Sequence, residues 1–116
     1  MTTVLDASAL LVLLNDEPRV ETVRHALSDA AISAVNLSEV VAKLVDAGAP
    51  ELEILELLQV IEAEVGPFDE DQAYSAGLLR SVTGAQGLSL GDRACLALAR
   101  RLESPVLTAD QVWTGL

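Results

Sequence analysis

Thr3-Val4-Leu5-Asp6-Ala7-Ser8-Ala9-Leu10 is the stretch whose reading decides the fold. Thr3-Val4-Leu5 is a short apolar run of the kind that makes a buried strand, and Ala7 to Leu14 reads as a helix, so Asp6 stands at the junction. Three further acids sit at similar junctions. Glu39 lies just beyond the strand-like Ala30 to Val35, Asp92 heads the helical Arg93-Ala94-Cys95-Leu96, and Asp110 follows Pro105-Val106-Leu107-Thr108. Strands alternating with helices predict an α/β fold with a parallel sheet and right-handed crossovers. Such sheets bind ligands beyond the carboxyl ends of their strands. Asp6, Glu39 and Asp110 would share that edge, and the first turn of the helix opened by Asp92 could point at the same cleft.

Working outward, Glu17-Pro18 opens a second helix with Val20, Val23, Ala26 and Leu27 at helical spacing. Asn36-Leu37-Ser38-Glu39 resembles a capping box that starts a helix through Val45, ending near Gly48. Glu51 to Glu64 and Asp69 to Thr83 read as helices, with a weak strand at Val65 to Phe68 between them. Gly84 to Gly87 is a link. Ser89-Leu90-Gly91-Asp92 is again box-like and leads a helix through Leu102, and Pro105 to Thr108 is a strand. Asp110 to Trp113 is expected to begin a last helical turn.

Residues 1–116 make one domain with a single core. Hydrophobic residues are 51 % of the chain, yet Phe, Tyr and Trp occur once each, so Leu, Val, Ile and Ala build the interior. The net charge of −11 repels nucleic acid. A nucleic-acid role would need bridging cations or a local basic patch drawn from Arg93, Arg100, Arg101 and Lys43. The same charge suits a basic protein partner. The single Cys95 cannot form an internal disulfide and sits in an apolar run, as a small buried residue would. No signal peptide and no apolar run approaching the roughly 20 residues of a membrane span is visible, so a cytoplasmic location away from membranes is expected.

Four acids in one pocket repel each other and need protons or a cation. Oxygen-only ligands suit Mg²⁺ or Mn²⁺. Each acid also has a purely structural reading: Asp6 and Asp110 as helix N-caps, Glu39 and Asp92 as third-position partners in capping boxes. The two readings can coexist. Ser8 and Ser38 lie near the acids, where they could orient a ligand or water or simply bond to backbone. Other chemistries lack their residues. There is no phosphate loop and no G-x-G-x-x-G. His25, beside Arg24, is the only histidine, and with one Cys and one His a zinc site is not expected.

Val4-Leu5-Asp6-Ala7-Ser8-Ala9-Leu10, Ser33-Ala34-Val35-Asn36-Leu37-Ser38-Glu39-Val40, Leu90-Gly91-Asp92-Arg93-Ala94-Cys95-Leu96-Ala97-Leu98-Ala99 and Val106-Leu107-Thr108-Ala109-Asp110, in that order, resemble the PIN-domain nucleases. They look most like the VapC-type toxins of bacterial toxin–antitoxin pairs. The resemblance spans nearly the whole chain. It implies a Rossmann-like three-layer α/β/α domain and an Mg²⁺- or Mn²⁺-dependent endoribonuclease that leaves 5′-phosphate and 3′-hydroxyl ends. Asp6, Glu39, Asp92 and Asp110 match the acidic, metal-holding catalytic set, and Asn36 and Thr108 match positions of supporting polar groups. It also implies a homodimer held inactive by a VapB-type antitoxin, with transfer, ribosomal or messenger RNA as substrate.

Such domains commonly add a short basic strand after the Thr-Ala-Asp segment. With the chain stopping at Leu116, four parallel strands rather than five are expected. Arg93 could contact a substrate phosphate, or form a salt bridge with Glu103 or a partner. Exposed apolar positions within Val40 to Val45 and Glu51 to Ile61 would serve a dimer surface. Two rival readings remain: a metal-dependent phosphatase, and a non-catalytic module that keeps the fold and binds an antitoxin. A phosphatase usually has a second Asp close after the first and a Lys near the last strand, and Asp6-Ala7-Ser8-Ala9 and Thr108-Ala109-Asp110 supply neither.

Overall fold

The computed structural model describes residues 2–14, 29–59, 61–83, 87–109 and 112–113. Thr3–Leu5 forms β1, the middle of a five-stranded sheet. On one side it pairs in parallel with β2 (Ala30–Ser33), which pairs in parallel with β3 (Glu64–Gly66). On the other side β1 pairs in parallel with β4 (Val106–Leu107), and β5 (Val112–Trp113) closes that edge antiparallel to β4. The order is β3-β2-β1-β4-β5. Four strands are thus parallel, and the fifth stands where the sequence reading has a helical turn. The β-branched and aromatic pair Val112-Trp113 suits a strand, and β4 offers its free edge there.

Alternation along the strands separates two cores. Val4, Ala31 and Val106 pack on one face with α4 (Glu70–Thr83) and α5 (Leu90–Leu102). Leu5, Ala30, Ile32 and Leu107 pack on the other with α1 (Ala7–Leu14), α2 (Ala34–Asp46) and α3 (Glu51–Gln59). Both faces of β1, β2 and β4 being covered explains why Val4-Leu5, Ala30-Ala31-Ile32 and Val106-Leu107 are apolar runs instead of alternating with polar residues, whereas the edge strand β3 leaves Glu64 and Val65 exposed. Helix α5 is buried continuously from Ala94 to Ala99, lodged between the sheet and α4. Gly66 lets β3 come close to it, because a Cβ there would lie 2.7 Å from Leu98 Cδ1. The second expected helix, Glu17 to Leu27, and most of the link from Gly84 lie outside the described residues.

Several boundaries differ from the sequence reading. Strand β2 stops at Ser33, whose side chain accepts the Val35 N–H and caps α2. Asn36 therefore lies in the first turn of α2, and Glu39 lies beyond that turn, outside any capping box. Helix α3 ends at Gln59, and Glu64 enters β3 opposite Ala31. Acidic Glu62 and Glu64 would oppose the dipole of a longer helix. Pro67, which has no N–H to donate, follows β3 immediately. Helix α2 ends as the sequence suggests: Gly48, at φ +90°, donates to Val45 O and Ala49 donates to Leu44 O. That pair of bonds satisfies carbonyls the helix would leave open. No helix among the described residues is long and apolar enough to cross a membrane.

Candidate functional site

Asp6 leaves the carboxyl end of the central strand and caps α1: its Oδ1 accepts the Ala9 N–H at 2.9 Å and the Ser8 hydroxyl at 2.7 Å. The same Ser8 Oγ accepts the Ala109 N–H at 3.0 Å. One hydroxyl thereby joins the ends of β1 and β4, and Thr108 and Ala109 are brought beside Asp6. Asp110, the next residue, lies outside the described residues.

The other half of the site is built by α2 and α5. Asn36 is buried, and its Nδ2 donates both to Glu39 Oε1 at 2.9 Å and to the Gly91 carbonyl at 3.0 Å. Glu39 thus lies on the first turn of α5, one residue from Asp92. Asp92 completes a capping box, its Oδ2 accepting the Ser89 N–H at 3.0 Å while its own N–H donates to Ser89 Oγ at 3.1 Å. A carboxylate in this first turn is stabilised by the helix dipole.

Beneath these acids lies Cys95. Burial pushes its thiol up to about 12, and the charges of Asp6, Asp92 and Glu39 act in the same direction. The thiol itself stays protonated at neutral pH, the condition of an unreactive cysteine. Among the described residues, however, no three Asp, Glu, His or Cys side chains stand close enough to hold one metal ion together.

Arg93 turns away from this gathering. Its Nη1 donates to the Ala76 carbonyl of α4 at 3.1 Å, and its buried Nε has no partner among the described residues. The expected pair with Glu103 does not form, since the two stand at opposite ends of α5, roughly 15 Å apart at 1.5 Å rise per residue. Arg101 pairs instead with Asp69, Nη2 to Oδ1 at 3.0 Å. Sequence reasoning passed over Gly91. The available signal was a glycine inside a helix start, where alanine would be the better helix former.

Residues 3–114 match the family model of the PIN domain. No relative is found by sequence among curated proteins. Among solved structures, a toxin–antitoxin complex from Klebsiella pneumoniae superposes with a TM-score of 0.71 at 19 % identity, covering 91 % of this chain and 84 % of that one. VapC20 of Mycobacterium tuberculosis, a toxin that cleaves the sarcin–ricin loop, gives 0.70 at 15 % identity, with coverages of 88 % and 84 %. FitAcB of Neisseria gonorrhoeae gives 0.66 at 23 % identity, with coverages of 93 % and 87 %. With the family model covering nearly its whole length and the sheet and helices arranged as in these structures, the chain belongs to the PIN-domain family.

Proposed function

We propose that this PIN domain is a divalent-cation-dependent endoribonuclease, the toxin of a type II toxin–antitoxin pair. The observation that carries the reading is the placing of Asp6 at the end of β1, tied through Ser8 to Ala109, and of Glu39 against the first turn of α5 next to Asp92, with no basic side chain among the described residues paired to any of the three. Mg²⁺ or Mn²⁺ fits the donor set. Every donor is a carboxylate oxygen, and Asp6 Oδ2, Glu39 Oε2 and Asp92 Oδ1 accept no hydrogen bond from a described residue. Asp6, Asp92, Glu39 and Asp110 would hold the cation. When bound, it neutralises the acids and the substrate phosphate and makes a nearby water more acidic.

The protein's own part is to fix the carboxylates. Ser8 holds one oxygen of Asp6 and leaves the other open, and Asn36 does the same for Glu39. Cys95 supplies a dry, uncharged floor. RNA is the substrate class this reading names, in keeping with the loop-cleaving activity of VapC20. A single-stranded loop presents the unstacked bases that a small domain can reach. A basic segment of a VapB-type antitoxin would complement the charge of −11, and solved relatives are found in toxin–antitoxin complexes. Val45, Leu52 and Leu55 remain exposed on α2 and α3, and they offer an apolar surface to a second copy.

One observation favours the non-catalytic module instead: the three described acids do not close on a single ion. Incubating the purified chain with transfer RNA and with a ribosomal-loop RNA, in Mn²⁺ and in EDTA, separates the two. Cutting in Mn²⁺ alone supports the nuclease. Intact RNA in both conditions contradicts it and leaves the interaction module.

A further inference from the structure

Glu39 is a long, exposed side chain, and two features fix its carboxylate, one on its own helix and one on α5. Asn36 is 1 % exposed, and its Nδ2 is shared between Glu39 Oε1 and the Gly91 carbonyl, 55 residues away in sequence. The Asn36 Oδ1 is buried with no partner among the described residues, so the amide is anchored through its nitrogen alone.

The second feature is at Gly91. A Cβ built there would lie 2.6 Å from Glu39 Cδ, far inside the optimal carbon–carbon separation of about 3.5–4.0 Å. The space a side chain would fill is taken by the Glu39 carboxylate. Backbone conformation does not call for glycine here: the glycines with positive φ are Gly48 and Gly87 among the described residues. Helix propensity does not call for it either, since alanine is the better helix former. Space for Glu39 is the remaining physical reason.

We infer that Asn36 and Gly91 form a seat that places the Glu39 carboxylate on the first turn of α5 beside Asp92. Both are positioning residues, neither touching substrate. The consequence for cation binding rests on the nuclease reading, whereas the seat itself rests on the contacts above. An alanine at 91 leaves α5 intact, pushes the flexible Glu39 aside and removes one of the two acceptors of Asn36.

The test is a cycle of four proteins: parent, Gly91→Ala, Glu39→Ala and the double variant. The side-chain amide resonances of Asn36 are followed by NMR, and Mn²⁺ affinity by the spin resonance of the free ion. Each single variant is expected to shift the Asn36 amide signals and to weaken Mn²⁺ binding, Gly91→Ala by about tenfold, the lower end of what supporting groups contribute, and Glu39→Ala by at least as much. With Glu39 truncated, Gly91→Ala should then change neither quantity, because the effects act through one contact. Unmoved Asn36 signals in Gly91→Ala, or additive effects in the double variant, would overturn the seat. Should Gly91→Ala fail to fold, the double variant must fold, since Glu39→Ala vacates the space, and its failure also overturns the proposal. If the parent holds no Mn²⁺, the cation reading falls and the Asn36 signals alone decide the seat.

Discussion

The Ser8 hydroxyl accepts the Ala109 N–H at 3.0 Å, linking residues 101 apart in sequence, while donating to Asp6 Oδ1 at 2.7 Å. The carboxylate at the end of β1 and the backbone leading to Asp110 are therefore set by one oxygen. Ser8→Ala removes both bonds and leaves the Ala109 N–H without this acceptor. A loss of about 1 kcal/mol is expected, the usual net value of a hydrogen bond. At this chain length that lowers Tm by a few degrees, since about 1 kcal/mol moves a small domain by roughly 4–8 °C. RNA cleavage should fall more than the stability loss explains, because Asp6 is released as well. Unchanged melting by calorimetry would contradict the bridge.

Asp69 gives the protein an acid-sensitive contact far from the candidate site. The Arg101 guanidinium, and next the Gln72 backbone N–H, hold its carboxyl below the ordinary value of 3.8. A folded-state value below the unfolded one means the contribution is complete above about pH 4 and is lost as pH falls through the lower, folded value. Melting curves between pH 5 and pH 2 should fall less steeply for Asp69→Asn than for the parent. Identical slopes would show that the pair carries no linked stability, which solvent screening of so exposed a carboxylate can bring about.

Glu103 ends α5 at φ 50°, a left-handed conformation that a side chain disfavours, with its N–H donating to Arg100 O and that of Ser104 to Ala99 O. An acid at a helix C-terminus also opposes the dipole. Glu103→Gly should stabilise the fold by about 0.5–1 kcal/mol, less than the full left-handed penalty because glycine also frees the unfolded chain. Denaturant titration with an unchanged m-value would read this directly. A lower midpoint would contradict it.

Much of this architecture was legible in the sequence because its signals are local. Thr3-Val4-Leu5 before Asp6 and the Ser89–Asp92 box each declare an element boundary within a few residues, and both appear where the chain places them. The start of α2 was missed because Asn36-Leu37-Ser38-Glu39 mimics a capping box, while the operative cap, Ser33, hides at the end of an apolar strand. The strand at Val112–Trp113 was illegible for a different reason: two residues make no pattern, and the open edge of β4 creates it. Four acids could be picked out by position as candidates for the site. Ser8 and Asn36 could be named beside them, but their partners could not, because Asn36 meets Gly91 and Ser8 meets Ala109 only after the sheet has formed. The fourth acid, Asp110, lies outside the described residues.

The central claim is that the acids around Cys95 are a catalytic centre. It is tested most directly by the RNA-cleavage rate of Asp92→Asn against the parent in saturating Mn²⁺. The amide can still accept the Ser89 N–H, so the capping box and the melting temperature should be largely kept. The rate should drop by about a hundredfold or more, the scale of losing one fixed electrostatic group from an active site. A folded Asp92→Asn that cleaves at the parent rate would contradict the account.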